Sequence, residues 1–63
     1  MVKKFKYTKE FDVIYRLEGE GTNRMIYVEI PNIGKKSTQL GNSSPKSLAK
    51  IIASNIFSDW ENK

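Results

Sequence analysis

The sequence predicts an α+β domain: a three- to four-stranded antiparallel β-meander with one C-terminal α-helix packed across the sheet. Three observations lead there. Apolar and polar residues alternate from Lys3 to Glu18, and a β-branched run, 25-MIYVEI-30, lies between turn signals. After Pro45 the apolar spacing lengthens to that of a helix. With 63 residues the chain forms a single domain, 1–63. A chain this short buries only about 60 % of its unfolded surface, so its core is small.

In the first segment Phe5, Tyr7, Phe11, Val13, Tyr15 and Leu17 occupy odd positions, interrupted only by Lys9. Lys4, Lys6, Thr8, Glu10, Asp12, Ile14, Arg16 and Glu18 occupy the even ones. A period of two belongs to a strand with one buried face. The run outlasts an ordinary strand of roughly 3–10 residues. A bend, bulge or tight turn is therefore expected near Thr8-Lys9-Glu10, giving one kinked strand or two. The segment 18-EGEGTNR-24 reads as a hairpin loop. In the next strand Ile26, Val28 and Ile30 share one face, and Met25, Tyr27 and Glu29 the other. Pro31 ends it, 31-PNIG-34 reads as a turn, and the polar 35-KKSTQL-40 reads as an edge strand. Ser44 then suits an N-cap and Pro45 the first helical position. The helix is expected from about Pro45 to Trp60. Leu48, Ala49, Ile52, Ala53, Ile56 and Trp60 form its apolar stripe, with Phe57 at the margin and Ile51 outside it. Residues 1–3 and 61–63 are expected to fray.

The chain has no cysteine and no histidine. That excludes disulfides and thiolate metal sites, and removes the commonest general base and metal ligand. No metal or cofactor is expected. The pair Glu10 and Asp12 falls on an outer strand face, where solvated charge is the ordinary outcome, so no enzymatic role is expected. The glycines of 19-GEGTN-23 lack the spacing of a phosphate loop. The triplet 42-NSS-44 matches a glycosylation acceptor but follows no secretory signal. The helix start at Ser43–Lys46 offers free N–H groups to an anion, although most such starts hold none. No apolar run approaches the ~20 residues of a membrane span. A soluble, cytoplasmic protein without a membrane partner is the expectation.

Eleven Lys and Arg against seven Asp and Glu leave a charge of +4, a modest excess. The even positions of the first segment would share a face with Tyr27 and Met25, and with one of Lys35 and Lys36. Cations there attract phosphates whatever the base sequence, and an exposed aromatic ring stacks on bases. The leading expectation is a non-enzymatic nucleic-acid-binding accessory protein. Lys4, Lys6, Arg16, Arg24, Lys35 and Lys36 would meet phosphates of DNA or RNA, and Tyr27 would stack. Glu10, Asp12, Glu18 and Glu29 weaken the field on that side. The alternative is a small protein–protein interaction module, such as a phage or mobile-element inhibitor or adaptor. It would dock on a homodimer mate or a larger protein through Ile14, Met25, Ile51, Phe57 and Trp60.

The segments 2-VKKFKY-7, 25-MIYVEI-30 and 45-PKSL-48 resemble parts of the archaeal 7 kDa chromatin proteins. That resemblance implies an SH3-like barrel with a C-terminal helix, binding duplex DNA through a sheet face. The run 34-GKKSTQL-40 before a helix is similar to the last strand and helix start of the positive-cofactor-4-like single-strand DNA-binding proteins. Those form dimers through sheet and helix. Each likeness covers scattered, short segments, and the loop 18-EGEGTNR-24 departs from both.

Overall fold

The computed structural model describes residues 2–62. Its elements are β1 (Val2–Lys6), β2 (Asp12–Glu18), β3 (Met25–Ile30), β4 (Gly34–Gln39) and α1 (Pro45–Glu61), with a single 3₁₀ turn at Gly21–Asn23 before β3. The alternating run is thus two strands. The break has a specific chemistry around Thr8. Its Oγ1 accepts the N–H groups of Phe11 (3.0 Å) and Glu10 (3.3 Å), while the N–H groups of Tyr7 and Thr8 donate to the Phe11 carbonyl. A threonine hydroxyl that bonds the backbone two or three residues on competes with the strand ladder and turns the chain. Past it the register pairs Phe5 with Val13 and Lys3 with Tyr15, restoring the buried row.

The sheet is a four-stranded antiparallel meander in the order β1-β2-β3-β4. β1 and β4 form its two edges, so the sheet is open and the closure of an SH3-like barrel is not made. The β2–β3 loop depends on Gly19, whose φ of 94° suits only glycine. A Cβ there would also lie 3.0 Å from the Asn23 carbonyl oxygen.

α1 crosses one face, mainly over β3 and β4. Beneath it lie Val13, Tyr15, Ile26, Val28 and Ile30, met by Ala49, Ile52, Ala53 and Ile56 from the helix. The two alanines keep the contact thin, and Gly34 lets Ile56 approach the sheet; a Cβ at that glycine would sit 3.2 Å from Ile56 Cγ2. Leu40 joins this core, just beyond β4, where its N–H donates to the Arg24 carbonyl at 2.9 Å. Its place at the end of a polar run concealed that role. Ser44 holds the N-cap position, but its side chain makes no capping bond. Its carbonyl accepts the Leu48 N–H instead.

Trp60, at the end of the apolar stripe, is 40 % exposed. It closes an aromatic group in which Phe57 meets Tyr7, Phe11 and Trp60 with ring centroids 5.3–5.9 Å apart. This group pins the β1–β2 turn to the C-terminal half of α1. Val2 and Lys3 belong to β1 and Glu61 to α1. Met1 and Lys63 lie outside the described residues.

Candidate nucleic-acid interface

The helix leaves the second face of the sheet open. Strand register arranges that face in cross-strand rows, because paired residues project to the same side. One row runs Val2, Arg16, Tyr27, Ser37, and the next runs Lys4, Ile14, Glu29, Lys35. Glu18, Met25 and Gln39 form a third on β2–β4, and Lys6 faces Asp12 at the other end. Apart from Lys4, the two central rows line a shallow concavity of about 780 Å³ that reaches all four strands, with Val2 as the lining residue from β1.

At its centre the Arg16 guanidinium carbon lies over the Tyr27 ring, 5.0 Å from the centroid. Arg16 Nη2 also meets Glu18 Oε1 at 3.3 Å. A cation over an aromatic face is attracted by the ring quadrupole. The pair sets a positive charge against the face of an aromatic ring. Around it the charges nearly balance. Lys6 stands opposite Asp12, Lys35 opposite Glu29, and Arg16 holds Glu18, whereas Lys4 faces only Ile14. The Arg16–Glu18 pair is half exposed on both sides, where such pairs are worth roughly 0–1 kcal/mol. A competing ligand can open it at small cost.

Of the residues singled out in the sequence, Lys4, Lys6, Arg16, Tyr27 and Lys35 come together on this face, as do Ile14 and Met25. Lys36 does not. It pairs with Val28, so it lies on the helix side, and its Nζ is 2.6 Å from Asp59 Oδ2. Neighbouring residues of a strand face opposite ways, so Lys35 and Lys36 cannot both serve one surface. Arg24 precedes β3, is half-buried, and stands outside the rows. Thr8 and Glu10 lie in the β1–β2 turn instead of on the open face. On the helix, Ile51 is 59 % exposed and Trp60 belongs to the aromatic group. At about 100° per residue these two project to opposite sides of α1, so Ile51, Phe57 and Trp60 do not make one patch.

Val2 and Ser37 complete the central row and were absent from the sequence reading. Val2 shares its parity with Lys4, a signal that was present. Ser37 has none, since only pairing with Tyr27 places it there. Comparison with protein-family models, with curated proteins and with solved structures finds no match.

Proposed function

We propose that the protein is a non-enzymatic, cytoplasmic accessory protein that binds nucleic acid on the open face of its sheet. The observation that carries this reading is the Arg16 cation over the Tyr27 ring, in a concavity bordered by all four strands. A base stacks on a guanidinium plane or an aromatic ring regardless of its identity. Lys4 and Lys6 on one edge strand and Lys35 on the other then stand where a phosphate backbone would leave the concavity. Ile14 and Met25 supply apolar area between them, which would serve a protein partner equally well.

Fluorescence polarisation with labelled single- and double-stranded DNA and RNA at low salt tests the reading. Binding is expected, and Tyr27→Ala should weaken it by about 1–3 kcal/mol, the worth of one stacked base. Raising the salt should lower log K with a slope of about −2, since three rim lysines neutralise roughly three phosphates at about −0.7 each on a single strand. Absence of binding to every nucleic acid at low salt would sink the proposal. A protein partner retained in a nuclease-treated pull-down would then favour the docking-module alternative.

A further inference from the structure

We infer that the open face takes a single strand rather than a duplex, and that Glu29 selects bases that carry an exocyclic amino group. The inference rests on the nucleic-acid reading above. Glu29 lies in the row Lys4, Ile14, Glu29, Lys35, with Tyr27 next to it along the same face of β3. It is exposed, and neither ion pair found among the described residues uses it. A carboxylate in the floor of such a site repels phosphates. They are left to the margins, where Lys4 and Lys35 stand three strand spacings apart, about 14 Å.

The middle of the face then holds Ile14 and the Arg16–Tyr27 pair beside a carboxylate that only accepts hydrogen bonds. An unpaired base fits that chemistry. Its plane stacks on the Arg16–Tyr27 pair while its edge meets the carboxylate. The amino groups of cytosine and adenine donate to a carboxylate, as does the edge of guanine. Thymine and uracil present carbonyl oxygens on both sides of their one ring N–H, and these oppose it. In a duplex the base planes are stacked on one another, so the Arg16–Tyr27 pair meets none of them and Glu29 is left with groove edges alone.

The test is polarisation binding of the full chain to dC, dA and dT oligomers of equal length and to a matching duplex, with Glu29→Gln alongside. Circular dichroism melting confirms that the variant is folded. The wild type should bind dC and dA roughly fivefold or more tightly than dT, the low end of discrimination by a base-edge contact. Its binding to the duplex should be weaker than to either. Glu29→Gln should bring the dC-to-dT ratio close to one, because an amide also donates to thymine O4. Equal wild-type binding of dT and dC, tighter binding of the duplex, or a ratio unchanged in Glu29→Gln would each overturn the inference while leaving the nucleic-acid reading in place. No binding to any oligomer would overturn both.

Discussion

Lys35 and Lys36 are adjacent, carry the same charge, and are both solvent-accessible, yet their surroundings differ. Lys35 stands at the rim of the open face opposite Glu29, and Lys36 reaches across the helix side to Asp59. Under the nucleic-acid proposal, Lys35→Ala removes one phosphate contact and should flatten the salt slope by about 0.7. Lys36→Ala should leave binding and slope unchanged, and its ion pair, half exposed on both sides, holds at most about 1 kcal/mol of stability. Salt titrations of the two variants check this directly, and equal losses in both would count against the open face as the binding surface. At this scale the sequence is informative up to a point. The row Ile26, Val28, Ile30 made it legible that Tyr27 and Met25 face away from the core. Parity also established that only one of the two lysines could join them. Which one depends on the register of β4 against β3, and a polar strand has no apolar row to reveal that.

Among the elements, the strands and the helix were legible wherever a period was strong. β3 and α1 start at the residues their patterns indicate, because a β-branched run and a Ser-Pro helix start are local signals. What was hidden depends on distance. Thr8 gave no sign that its hydroxyl would accept two backbone N–H groups, and Leu40 looked like the tail of an edge strand. The aromatic group joins the β1–β2 turn to the far end of α1, and Phe57 is its centre, in edge contact with Phe11 and Trp60. Phe57→Ala should cost about 3 kcal/mol, the lower end for a core phenylalanine, because the ring is only partly buried. Since the chain has one tryptophan, the loss can be followed through Trp60 fluorescence, whose emission should shift to the red as the ring loses its neighbours. A variant as stable as the wild type would show that the turn does not depend on this clamp.

For the whole molecule, size decides how function is best measured. A single core of this kind supplies roughly 3–5 kcal/mol below about 70–80 residues. The core side chains number few, with Val13, Ile26, Val28, Ile30 and Leu40 the largest that are fully enclosed. Among the described residues no helix is long and apolar enough to cross a membrane. A ligand that binds only the folded chain adds RT ln(1 + [L]/Kd), about 2.7 kcal/mol at a hundred times Kd. In a domain of about 60 residues each kcal/mol moves the midpoint by about 4–8 °C. A short single-stranded oligomer at that excess should therefore raise the melting temperature by ten degrees or more. Tyr27→Ala, on the open face of a central strand, should reduce that rise while costing the free chain only about 1 kcal/mol, less than Phe57→Ala. Phe57→Ala should do the reverse, lowering the free midpoint while keeping the ligand-induced rise. A rise that follows stability rather than the open face would mean that the oligomer binds elsewhere. The charge balance makes that distinction necessary, because four cations share this face with three acids, while Lys9, Lys46 and Lys50 lie outside it.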